Sequence, residues 1–219
     1  MAFDSSFPPA ALFDLDGVII DTEGQYTLFW DMIGRQYLRQ VDFGAKIKGE
    51  TLQHIFAEHF GALQAEQPGI RAALDDFEAK MDMPWVPGFR AFHRSLQAAG
   101  WKTAVVTSSS AGKMNSVYRK LPEIPRMFDQ ILTAEMFTRS KPAPDPYLLG
   151  AGTFGLPSGN CLVFEDSING LKAGRAAAMR VVGLATTNPA ETVSRYADIT
   201  LADFTAFDAE KALAVLRGN

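Results

Sequence analysis

Phe13-Asp14-Leu15-Asp16-Gly17-Val18-Ile19-Ile20-Asp21-Thr22 is the stretch on which the reading of this chain turns. It closes an apolar run, Ala10 to Leu15 (AALFDL), that reads as a buried strand with a polar carboxyl tip. Carboxylates at i and i+2 point the same way for as long as a strand persists, and Gly17 then turns the chain. Acids this close repel unless a cation or a proton intervenes, so Asp14 and Asp16 suggest either a Mg²⁺ site or an acid/base couple. The ordinary alternative is a strand-to-loop turn in which Asp caps local amides. A calcium loop does not fit, because Val18 and Ile19 stand where its fifth ligand and glycine belong and Gln25 replaces its terminal Glu.

Outward from this stretch, four similar apolar runs follow: Lys102 to Thr107, Phe128 to Thr133, Asn160 to Glu165 and Arg180 to Leu184. Helical patterns lie between them, at Gly88 to Ala99, Ala111 to Leu121, Asp145 to Phe154 and Ile168 to Ala178. Such alternation implies right-handed crossovers and an α/β fold around a Rossmann-like parallel sheet, with ligands bound beyond the carboxyl ends of the strands. From Thr22 to Met83 the pattern is helical throughout, with apolar spacing at Tyr26, Phe29, Trp30 and Ile33 and again at Leu52, Ile55, Phe56 and Phe60. This predicts a helical insertion over residues 21–85 in an α/β core made of residues 1–20 and 86–219. The return through Pro84-Trp85-Val86-Pro87-Gly88 reads as a hinge.

The 219 residues carry a formal net charge of −4, are 47% hydrophobic and include one cysteine. A single Cys excludes a disulfide framework and a four-thiolate zinc site. No apolar run reaches the roughly 18 residues of a membrane span, and the start of the chain has no basic cluster, so a cytoplasmic location is expected. An acidic chain without Lys/Arg blocks is a poor nucleic-acid binder. If the ligand is an anion, positive charge has to be local.

Three further strand ends carry chemistry. Val106-Thr107-Ser108-Ser109-Ser110 offers hydroxyls and amides at a helix start, a pattern that suits an anion and also an ordinary N-cap. In Ser140-Lys141-Pro142-Ala143-Pro144-Asp145 a lysine precedes a rigid turn. Val163-Phe164-Glu165-Asp166-Ser167 ends an apolar strand in adjacent acids, which are costly there unless a metal or a basic partner offsets them; a capping role for Asp166 or Ser167 is the alternative. Gly150-Ala151-Gly152-Thr153-Phe154-Gly155 fits a G-x-G-x-x-G string but follows a helical pattern and precedes a strand, the reverse of a dinucleotide site. His54, His59 and His93 show no metal-like grouping, and Cys161 reads as a small buried hydrophobe.

FDLDGVIIDT, VVTSSS, the lysine of SKPAPDPY and VFEDSINGLKAG, in that order, resemble the four motifs of the haloacid dehalogenase superfamily. The likeness is to its phosphatase and β-phosphoglucomutase-like branch, whose helical cap is inserted after the first motif, and it spans essentially the whole chain. It implies that Asp14 is the nucleophile, forming an aspartyl-phosphate, and that Asp16 is the general acid/base and lends a backbone carbonyl to Mg²⁺. Leu15, Thr107, Ser108 and Lys141 would bind the phosphoryl group, and Glu165 and Asp166 would complete the metal shell with Asp14 and Asp16.

The same resemblance separates branches. Asp16 disfavours the dehalogenases and phosphonate hydrolases. Tyr26 stands where mutases carry a His, and no Arg follows Lys48-Gly49, so hydrolysis of a small phosphate monoester, with a sugar phosphate as the candidate class, is expected ahead of a phosphomutase. A receiver-like phospho-Asp signalling module is a third reading, opposed by the long insertion. Glu23, Tyr26, Lys48, Gly49 and Thr51 are the cap residues expected to face the substrate, and the chain is expected to be a monomer or weak homodimer.

Overall fold

The computed structural model describes residues 3–218. Six strands form one parallel sheet: β1 Ala10–Phe13, β2 Lys102–Val106, β3 Gln130–Leu132, β4 Cys161–Glu165, β5 Arg180–Leu184 and β6 Ile199–Leu201, in the order β3-β2-β1-β4-β5-β6. β1 is central, with β2 and β4 on either side in register, Phe13 lying opposite Val105 and Phe164. The chain runs outward from β1 in both directions, so the carboxyl end of β1 is the topological switch point where such sheets bind ligands.

The helices are α1 Glu23–Ile33, α2 Phe43–Lys46, α3 Leu52–His59, α4 Gln67–Lys80, α5 Phe89–Ala98, α6 Ala111–Lys120, α7 Ile124–Met127, α8 Asp145–Thr153, α9 Ile168–Ala176, α10 Ala190–Val193 and α11 Ala209–Arg217. Strand alternation divides the core in two. Ala11, Phe13, Val105, Leu162 and Phe164 pack with Phe89, Phe92 and Leu96 of α5 and Val215 and Leu216 of α11. Ala10, Leu12, Ala104, Val106 and Val163 pack against Tyr147 and Ala151 of α8 and Leu171 of α9. Gly150, inside α8, lies against Leu12 and Val106, so the first glycine of that string serves helix-on-sheet packing.

The stretch expected to be helical holds α1 to α4, with a π-helical turn over Gly34–Leu38. Phe29, Trp30, Ile33, Phe43, Ile55, Phe60, Ile70 and Leu74 form a third apolar core of their own. The five expected strands are present with ends within two residues of expectation. β6 and α11 add to them. β6 has only three half-buried residues at the sheet edge, too few for a pattern to register. α11 is announced by Asp208, whose side chain accepts from Lys211 N, and is closed by Gly218. No helix of the described residues is long and apolar enough to cross a membrane.

Candidate active site

β1 ends at Phe13, one residue before the first acid. The chain then turns tightly, with Ile19 N and Ile20 N both donating to Leu15 O and Gly17 at φ +74°. The two acids therefore do not stay parallel as a continuing strand would require, and they take different partners. A side chain at Gly17 is excluded twice over, by its φ and by Asp166 Oδ2, which would lie 2.1 Å from a Cβ. Leu15 is wholly buried, its side chain belongs to the apolar core, and it is not among the residues that line the cavity above the acids.

Asp14 Oδ1 accepts from Lys141 Nζ at 2.6 Å, and the same ammonium donates to Glu165 Oε1 at 2.7 Å and Val106 O at 3.0 Å. Lys141 is fully buried. Burial works against its charge, but Asp14 and Glu165 outweigh that and hold it above the ordinary lysine value. Burial pushes Asp14 up to about 8, with Lys141 opposing and Glu165 and Asp16 adding to the rise. Burial, reinforced by Glu23, Glu165 and Asp14, also drives Asp166 well above the usual carboxylate range.

Oxygens of Asp14, Glu165 and Asp166 lie within 4.8 Å of one another. Asp166 Oδ2 is buried and has no hydrogen-bond partner among the described residues. An all-carboxylate set with an unpartnered buried oxygen fits a hard divalent cation, which would offset the burial and mutual repulsion that raise Asp14 and Asp166. Glu165 is also occupied elsewhere. Tyr147 OH donates to its Oε1 at 2.9 Å, while Asp166 N, Ser167 N and Ser167 Oγ donate to its Oε2 at 3.0, 3.1 and 3.0 Å. It thus anchors Lys141 and the turn after β4.

Asp16 faces the other way. Thr22 Oγ1 donates to its Oδ1, and Ser109 Oγ (3.1 Å) and Lys113 Nζ donate to its Oδ2. Lys113 is itself buried and stands 4.2 Å from the centroid of the Tyr26 ring. Thr107 is buried, and its Oγ1 accepts from Ser109 N at 3.0 Å, which shapes the turn after β2. Behind the acidic turns, Thr186 Oγ1 donates to Gly17 O at 2.6 Å and Asn188 Nδ2 to Asp166 O at 2.9 Å.

A cavity of about 110 Å³ opens above these groups and reaches into the helical insertion. Asp14, Asp16, Thr107, Ser108 and Asp166 line its floor, and Glu23, Tyr26, Lys48 and Gly49 line its far wall. Thr51 is not brought to it, because its Oγ1 accepts from His54 N and caps α3. Tyr26 OH donates to Glu78 at 2.9 Å, and Lys48 Nζ lies 3.4 Å from Glu23 Oε2. Thr22, Lys113, Tyr147, Thr186 and Asn188 are given no role by the sequence reading, and Ser109 enters it only as part of the hydroxyl tip after β2. Ser109 and the Thr-Thr-Asn after β5 sit at strand tips, a signal the sequence does carry, whereas nothing local marks Lys113 or Tyr147.

Comparison with known proteins bears on this arrangement. Residues 8–178 match the family of haloacid dehalogenase-like hydrolases. Hexitol phosphatase A of Escherichia coli is 33% identical over 188 residues, covering 83% of this chain and 84% of its own. A probable pseudouridine-5'-phosphatase of Drosophila melanogaster is 29% identical over 211 residues, 91% of each chain. In structure, a putative β-phosphoglucomutase from Bacteroides vulgatus superposes with a TM-score of 0.77 over 99% of this chain and 91% of its own at 22% identity, a likeness of fold. With the family matched over most of the chain's length, the acidic and hydroxyl strand tips gathered in one cavity and Lys141 buried against Asp14, the chain belongs to the haloacid dehalogenase-like hydrolases.

Proposed function

We propose that the protein hydrolyses a small phosphate monoester, of the sugar- or polyol-phosphate class, through a phosphoenzyme on Asp14. The observation that carries the reading is Lys141, which is fully buried and joins Glu165 to Asp14, the acid that lines the cavity floor beside Asp166. The names of the phosphatase relatives, hexitol phosphatase A among them, support the substrate class.

Asp14 is the nucleophile: its oxygen forms a bond to phosphorus as the ester oxygen leaves. Lys141 balances the charge shared between Asp14 and the phosphoryl oxygens, and Thr107 with the Ser108 amide and the backbone after Asp14 holds those oxygens. Asp16 gives a proton to the departing oxygen. It then takes one from the water that attacks the phosphorus of the aspartyl-phosphate, which releases inorganic phosphate and restores Asp14. Mg²⁺, held by Asp14, Asp166 and the Asp16 backbone carbonyl, with Glu165 supporting the set through Lys141 and the turn after β4, would neutralise phosphoryl charge at Asp14.

Residues 21–85 act as a cap. Their separate apolar core and their share of the cavity wall support a unit that closes over the substrate and excludes bulk water. Turnover of a panel of hexose, hexitol and pentose phosphates with Mg²⁺, ranked by kcat/KM, tests the reading. Release of free phosphate that stops in Asp14→Asn and under chelation is expected. Conversion of a hexose 1-phosphate to its 6-phosphate would make the enzyme a mutase, and a stable phospho-Asp without turnover would make it a signalling module.

A further inference from the structure

Two successive peptide carbonyls of the insertion are held by side chains of the catalytic turns. Asn169 Nδ2 donates to Lys48 O at 3.0 Å, and Ser108 Oγ donates to Gly49 O at 2.9 Å. The donors belong to different strand tips. Ser108 follows β2, and Asn169 lies in the first turn of α9 after β4, so they flank β1 and Asp14 on opposite sides. The Lys48-Gly49 segment therefore spans the pocket like a strap pinned at both edges. Its fit is close: Gly49 has φ +81°, and a Cβ there would lie 2.7 Å from Ser167 Oγ. At the cavity wall the Lys48 ammonium turns to Glu23 of α1, 3.4 Å away, and both side chains are largely buried.

We propose that Asn169 is a positioning residue for substrate binding, acting through the Lys48-Gly49 strap that it fastens over the phosphate pocket. The inference rests on the phosphatase reading above, since it supposes that the strap covers a substrate. Asn169 touches no reacting atom. Its amide nitrogen meets the carbonyl only while the insertion lies against the α/β core, so its contribution falls wholly on the closed state. One hydrogen bond of ordinary strength shifts such an equilibrium by about threefold to tenfold. Lys48 and Glu23, set by the strap, then face whatever extends from the phosphoryl group. Loss of Asn169 should weaken binding of ground state and transition state alike, raising KM with kcat held.

The test is backbone hydrogen exchange of residues 47–50, read in the full chain by mass spectrometry or NMR, beside steady-state kinetics on the best substrate of the panel. Asn169→Ala and the isosteric Asn169→Asp, which cannot donate, should both speed exchange of these amides by about threefold to tenfold and raise KM by a similar factor, with kcat within about twofold and an unchanged Tm. Ser108→Ala, read by exchange alone, should loosen the same amides and is the fallback if the Asn169 variants fail to fold. Wild-type exchange at residues 47–50 in Asn169→Asp would overturn the proposal, as would a loss confined to kcat. If the wild type turns over no phosphate monoester, the functional reading fails, and the exchange result still decides whether Asn169 fastens the strap.

Discussion

The Lys141 ammonium donates to Asp14 Oδ1 across 2.6 Å while excluded from solvent, and the same nitrogen serves Glu165 at 2.7 Å. One cation thus stands between two buried acids. Lys141→Met keeps the bulk of the side chain and removes the charge. Phosphatase kcat should fall by about 10²-fold or more, as when a donor to developing negative charge is lost. Stability without metal should fall by about 3 kcal/mol, because Asp14 and Glu165 lose their shared partner. Urea unfolding in EDTA reads the second effect, and added Mg²⁺ should restore part of it.

Asp14 predicts how metal binding depends on pH. Burial raises it to about 8, above an ordinary carboxylate. A raised folded pKa means that the metal-free fold gains stability from protonated Asp14 below the ordinary carboxylate pKa and loses it as pH climbs through about 8. The metal needs the deprotonated form, so apparent Mg²⁺ affinity should rise from pH 6 through about 8 as Asp14 gives up its proton. Calorimetry in buffers of different ionisation enthalpy should find proton release on binding at pH 6 that shrinks above pH 8. Affinity that does not change over this range would refute the assignment of Asp14 to the metal.

The strand tips were legible because a buried parallel strand has little freedom: AALF, KTAVV and CLVFE are apolar for packing reasons, so the polar residue after each stands out. That logic reaches Asp14, Thr107 and Asp166 directly, and the lysine before its proline-rich turn makes the fourth. It fails where direction depends on a turn. The sequence spacing of Asp14 and Asp16 suggests a shared side, yet the strand stops at Phe13 and Gly17 adopts φ +74°, which separates them. It fails also for partners far apart in sequence. Lys113 meets Asp16 only because α6 begins at the tip of β2, and Tyr147 meets Glu165 only because α8 packs over β1 and β2 beside it, relations that no local pattern records. In the insertion, Thr51 stands among residues expected to face substrate but spends its hydroxyl on the start of α3.

His93 should be replaceable with a gain in stability. It is fully buried on α5 against Phe13, Phe89 and Phe128, and neither ring nitrogen has a hydrogen-bond partner among the described residues. Burial lowers it to about 4, against the pull of Asp129. A depressed folded pKa means that the stability of the neutral form is complete above the unfolded value near 6.5 and drains away as pH falls towards 4. His93→Phe removes the unpaired nitrogens and the titration together. It should stabilise the fold by about 1 kcal/mol at pH 7.5, with the advantage widening by about 2 kcal/mol at pH 5. Urea unfolding of both proteins at the two pH values checks this, and a constant difference would show that His93 does not titrate as its burial requires.

Ala178 ends α9 in a conformation that its side chain opposes. Its φ is +58°, while its N–H donates to Arg175 O at 3.0 Å and Met179 N reaches back to Gly174 O at 3.2 Å, the crossed pair that closes a helix through a left-handed residue. An alanine Cβ crowds the following carbonyl there, at about 1 kcal/mol relative to glycine. The position leads directly into β5, so the bend is fixed by strand pairing and not free to relax. Ala178→Gly should therefore raise stability by about 1 kcal/mol less the extra chain entropy of glycine in the unfolded state, a net gain of roughly 0.5 kcal/mol. Since residue 178 lies at the amino end of β5, remote from the carboxyl-end site, kcat and KM should not move. A loss of stability in thermal or urea unfolding would mean that the methyl group contributes more packing than its backbone strain costs.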